Sequence, residues 1–155
     1  MSNEQVLTAT NPNDFYDYMR KLKDKKTGLP ELTYSMEDYT AIISIGIIKR
    51  VAEIVMILLG LKKTKFVQLI GTSLRTYDRM DENSHLKPSE SEHVFQLGIL
   101  LKEGTEVFGT TEQFKAWLLQ ENDYLDNKRP IDLLTTVKGI DYIRQIVGRI
   151  AWGDF

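Results

Sequence analysis

"AIISIGIIKRVAEIVMILLGL", residues 41–61, is the most apolar stretch of the chain. Three structures compete for it. Its length suits a membrane span, but Lys49, Arg50 and Glu53 stand at its centre, where hydrocarbon makes each charge expensive. Its first half, "AIISIGII", has the propensity of a buried strand, yet no neighbouring segment offers a partner strand. What remains is a pair of core helices, or a helix facing a second copy. Gly46 marks the joint, and the second helix runs over about 47–59 and ends at Gly60.

The rest of the chain agrees with an all-α reading. Phe15, Tyr18, Met19 and Leu22 recur at helical spacing within residues 13–26, and "TGLPEL" breaks that helix. A further helix starts near Met36. "TKFVQLIG", residues 64–71, reads as a short helix ended by glycine, with Phe66, Leu69 and Ile70 inward. Ser73 can cap "SLRTYDRM", because its hydroxyl accepts an orphan amide hydrogen. Two short helices across "GTS" fit helix-turn-helix geometry. Ser89 and Glu92 have capping-box spacing at the start of a helix carrying Val94, Leu97, Leu101 and Phe108, with Gly104 as a break or bend. Thr110 and Gln113 repeat the spacing before Phe114, Trp117 and Leu118. Pro130 opens a short turn, "PIDLL". Thr136 caps a last helix with Val137, Ile140, Ile143, Val147 and Ile150 on one face.

Composition narrows the chemistry. The chain has 155 residues, 42% of them apolar, and no cysteine, which excludes disulfides and thiolate metal sites and favours a cytoplasmic location. "MSNEQVLTAT" has no basic segment before an apolar one, so no signal peptide is read. The two histidines, His85 and His93, lack metal-ligand spacing and read as surface residues. No glycine-rich loop follows a strand, and no catalytic set is visible, so an enzyme is disfavoured and no cofactor is expected. The formal net charge is −2, but its distribution is uneven. Residues 60–87 carry Lys62, Lys63, Lys65, Arg75, Arg79 and Lys87 against Asp78, Asp81 and Glu82, whereas residues 88–155 are net acidic. Two surfaces with different partners follow from that asymmetry.

From about residue 57 onward the chain resembles the Xre/MbcA/ParS antitoxins, partners of RES-domain toxins. Arg129-Pro130, Asp132-Leu133-Leu134, Thr136, Gly139, Gly148-Arg149-Ile150 and Gly153 carry the resemblance, in the order and spacing of the toxin-binding domain. Glu121 stands where that family has proline, and Asp126-Asn127 replaces its glycine turn; both can adopt left-handed backbone. The chain is then read as three parts: an N-terminal helical extension at 1–35, which the resemblance does not reach, an Xre-like helix-turn-helix domain at 36–87, and a toxin-binding domain at 88–155. The resemblance implies a type II antitoxin that occludes the active site of an NAD-degrading toxin and autorepresses its operon; one short module gives DNA limited contact, so a homodimer within a larger complex is expected. Alternatives are toxin neutralisation without DNA, or a stand-alone transcription regulator.

Candidate residues follow from that reading. Lys62, Lys63 and Lys65 are placed for phosphates, and Ser73, Leu74, Arg75, Thr76 and Arg79 for operator DNA at the second helix. Asp78, Asp81 and Glu82 count against DNA. Asp132 is expected to hold its turn by accepting backbone hydrogens. Gly139 and Gly148 are expected where another backbone packs close. Arg144, Arg149, Trp152, Asp154 and Phe155 are the residues expected to reach the toxin, the arginines as planar forks and the aromatics as anchors.

Overall fold

The computed structural model describes residues 36–153, and the helix expected at 13–26 lies outside them. The described chain is helical, with seven α-helices and two 3₁₀ turns; its β-bridges, Ile48 with His85 and Asn122 with Lys128, are isolated. The 41–61 run divides at Gly46 as expected, into the end of α1 (Met36–Ile45) and α2 (Lys49–Leu58). Gly46 has φ 89°, and a side chain there would run into the Leu86 carbonyl. No helix among the described residues is long and apolar enough to cross a membrane.

The joint is held by distant backbone. Ile48 offers α2 no side-chain cap, so the first amides of that helix look elsewhere. Lys49 N–H donates to the Ser84 carbonyl at 2.9 Å, and Arg50 N–H to that of Glu82 at 3.0 Å. His85 Nδ1 donates to the Gly46 carbonyl at 2.8 Å, and Ile47 N–H to Ser91 Oγ at 2.9 Å. The charges in the run are accommodated in the same way. Buried Lys49 donates to the Met80 carbonyl at 3.1 Å, and its ammonium lies 4.7 Å from the centre of the Tyr77 ring. Glu53 is half-buried; burial raises its carboxyl above the usual range, and Lys49 opposes that shift.

The central element is α5 (Pro88–Phe108), about 31 Å long at the usual helical rise. It packs against α1, α2, α3 (Lys63–Ile70), α6 (Thr111–Leu119) and α7 (Val137–Ala151). Val94, Phe95, Leu97, Leu100 and Leu101 are buried along it, in one hydrophobic core that runs through both halves of the described chain. Two expectations about α5 are corrected. The capping carboxylate is Glu90, which accepts the Lys87 N–H at 3.0 Å, two residues before the expected Ser89–Glu92 pair. Pro88 sets that frame, because its fixed φ and missing N–H suit the first helical position. Nor does Gly104 break the helix. It is buried under the Phe114 ring, which occupies the space of a Cβ. Phe108, Phe114 and Trp117 join there in a ring cluster, with centroids 5.3 to 6.0 Å apart.

Candidate functional site

The first candidate surface is α3, the turn at 71–73, and α4 (Leu74–Arg79). Gly71 ends α3 with φ 82°, and Gly71 and Thr72 N–H close the helix onto the Gln68 and Val67 carbonyls. Ser73 Oγ accepts the Thr76 N–H at 3.1 Å and donates to Thr76 Oγ1 at 2.8 Å. Both hydroxyls therefore serve the cap. Phe66 and Tyr77 are fully buried and meet edge to face at 6.2 Å, locking α4 onto α3. Exposed around them are Lys62, Leu74, Arg75 and Arg79, and neither arginine makes an ion pair among the described residues. The other two lysines are engaged. Lys63 Nζ lies 2.7 Å from Asp78, whose carboxylate holds the ammonium above its ordinary range, and Lys65 Nζ lies 4.0 Å from Asp132.

The second surface is built on the chain after Leu119. Asn122 Oδ1 caps the first 3₁₀ turn (Asp123–Leu125), and Asp126 and Asn127 follow with φ 54° and 60°. The left-handed turn thus survives without glycine, as expected for these two residue types. The second 3₁₀ turn (Pro130–Leu133) buries Pro130 and Ile131. Asp132 does not accept backbone hydrogens there; its carboxylate takes both prongs of Arg129, each at 3.0 Å. Thr136 Oγ1 caps α7 by accepting the Gly139 N–H at 3.0 Å. The Leu133 carbonyl occupies the place of a Gly139 side chain, so that glycine is explained by close backbone. Gly148 is not: the space beside it is open.

His93 is a further correction. It is buried on α5, not a surface residue, and its Nε2–H donates to the Leu134 carbonyl at 2.7 Å. Burial lowers its pKa below the usual imidazole value, and the bond to Leu134 offsets part of that shift. Ile140, Ile143, Ile146 and Val147 bury the inner face of α7.

What α7 presents outward is uneven. Arg144 grips Glu103 of α5 with two hydrogen bonds, 2.8 and 2.7 Å, and Asp141 stands 3.6 Å away. These groups line a shallow cleft of about 500 Å3 with Glu106, Gln145 and Gly148. Arg149 is exposed and makes no ion pair among the described residues. Trp152 is 89% exposed and does not dock back onto its own domain. Asp154 and Phe155 lie outside the described residues. A second hollow, of about 210 Å3, is lined by Trp117, Asn122, Tyr124, Tyr142, Ile146, Arg149 and Ile150.

Residues 103–153 match the family model described as the antitoxin Xre/MbcA/ParS C-terminal toxin-binding domain. The match takes in the end of α5, α6, both 3₁₀ turns and α7. No curated protein matches the chain. Both outward surfaces of α7 fall inside the matched residues. Tyr124 and Tyr142, which no sequence pattern singled out, lie within the matched residues as well. Their one signal was an aromatic at a polar turn and another off the apolar stripe of α7. No group of histidines, aspartates and glutamates among the described residues is placed to hold a metal ion.

Proposed function

We propose that this chain is the antitoxin of a type II toxin–antitoxin pair, binding a RES-type, NAD-degrading toxin and occluding its active site. The observation that carries the reading is the toxin-binding-domain match, with Arg149 and Trp152 standing out from the end of its last helix. The exposed indole is suited to enter the toxin's pocket, and the planar cation of Arg149 to grip the toxin beside it. Asp154 and Phe155 would extend that contact. Arg144, held by Glu103, would set the position of α7 and meet the toxin at its edge. The test is co-expression with the protein encoded next to it. The expected result is a stable complex with suppressed NAD consumption, and partial return of NAD consumption with Trp152→Ser plus Arg149→Ala. A neighbour that consumes no NAD, or a failure to form any complex, would overturn the reading.

Operator binding is the second half of the proposal. Lys62, Arg75 and Arg79 are exposed along α3 and α4, where phosphate and base edges would be met. Lys63, Lys65, Ser73, Leu74 and Thr76 would support that surface. One small module gives limited contact, so a homodimer is required, and exposed Met36, Ile45 and Ile57 on α1 and α2 offer apolar surface for it. The competing reading, toxin neutralisation without DNA, is favoured by the Lys63–Asp78 pair, which places a carboxylate on the same face. Salt-dependent binding to the operon's own promoter separates the two.

A further inference from the structure

Two exposed tyrosines of residues 103–153 stand together, apart from Trp152 at the end of α7. Tyr124 is 69% exposed on the first 3₁₀ turn and Tyr142 is 45% exposed on α7, and with half-buried Trp117 they wall the hollow of about 210 Å3. Ile146, Ile150 and Arg149 line it as well. Large rings left in water this way mark interaction surfaces more often than random exposure does. The arginines of residues 103–153 add a second observation. Arg129 is taken by Asp132 and Arg144 by Glu103, both in two-pronged pairs, whereas Arg149 is left without a carboxylate among the described residues. An unpaired fork beside an apolar hollow is complementary to a bulky apolar side chain with a carboxylate next to it.

We infer that this hollow is a docking site for a surface segment of the toxin, separate from the toxin's active-site pocket, in which an apolar side chain fills the space between Tyr124, Tyr142 and Trp117 and an adjacent Asp or Glu pairs with Arg149. The inference rests on the antitoxin reading. The occupant is assigned to the toxin because every lining residue falls inside the residues that match the toxin-binding domain, and because the cation in its lining calls for an acidic partner. The site adds grip and specificity outside the pocket that is occluded.

The test uses the full chain with its co-expressed toxin. A photo-crosslinking phenylalanine analogue replaces Tyr124, which is exposed on a turn and carries none of the core. The expected product is a crosslink to a toxin peptide that contains an acidic residue and lies outside the NAD pocket. Crosslinking to this chain's own tail, to a second copy, or to the wall of the NAD pocket would overturn the inference. In parallel, Tyr142→Ala and Arg149→Glu are expected to raise the dissociation constant by about tenfold or more, as central anchors do, with thermal melting unchanged. Lys138→Ala, outside the hollow, serves as control. Wild-type affinity in Tyr124→Ala and Tyr142→Ala refutes the docking site while leaving the antitoxin reading intact. Absence of any complex with the wild-type chain refutes both.

Discussion

Gly104 and Gly148 have the same composition and opposite settings. Gly104 lies under a ring, so Gly104→Ala must push Phe114 out of a filled core and is expected to cost about 1–3 kcal/mol. Gly148 faces open space within α7, and Gly148→Ala is expected to stabilise the isolated protein by up to about 1 kcal/mol, the helical penalty of glycine. Chemical denaturation of the two variants checks the pair of signs. His93 makes a pH prediction. Burial disfavours its imidazolium, so the folded-state pKa lies below the unfolded one, about 6.5. The unfolded chain then binds more protons below that pH, and stability falls as pH is lowered through 6.5 toward 5. Glu53, with a raised pKa, acts with the opposite sign at lower pH. Comparing the wild type with His93→Gln isolates the histidine: the variant is expected to lose less stability between pH 7 and pH 5.

At the scale of elements, most helix ends are readable from neighbouring residues alone. Ser73, Thr110 and Thr136 each accept the amide three residues on, because a cap is a local bond between near neighbours in sequence. Removing the last of them, Thr136→Ala, is expected to cost about 1 kcal/mol and to loosen the start of α7, seen as a lower denaturation midpoint. The start of α5 differs from its expected frame because two residue sets offer the same spacing, and only Pro88 chooses between them. Elements can also be uncapped and still satisfied. The amides of Lys49 and Arg50 bond to carbonyls of Ser84 and Glu82, more than thirty positions away, which no local pattern reveals. For α3 and α4, Arg75→Ala with Arg79→Ala is expected to weaken promoter binding and to reduce the salt slope by about one for each phosphate that an arginine had neutralised. An unchanged slope in a binding titration would remove those arginines from the DNA surface.

For the whole molecule, α5 is the organising axis: α1, α2, α3, α6 and α7 all pack on it, and its residues reach both ends of the described chain. His93 to Leu134 and Lys65 beside Asp132 tie residues 103–153 to what precedes them, and Arg144 to Glu103 ties α7 to α5. Helix content, turn positions and the inward stripes were determined by the sequence alone, since periodicity, caps and left-handed turns act over a few residues. The outward surface was not. Whether Arg144 is engaged, whether Gly148 is crowded, and whether Trp117, Tyr124 and Tyr142 share a wall depend on which distant segments meet. Those answers came from tertiary packing, because charge pairing and exposure are properties of neighbours in space, and the sequence names neighbours only along the chain.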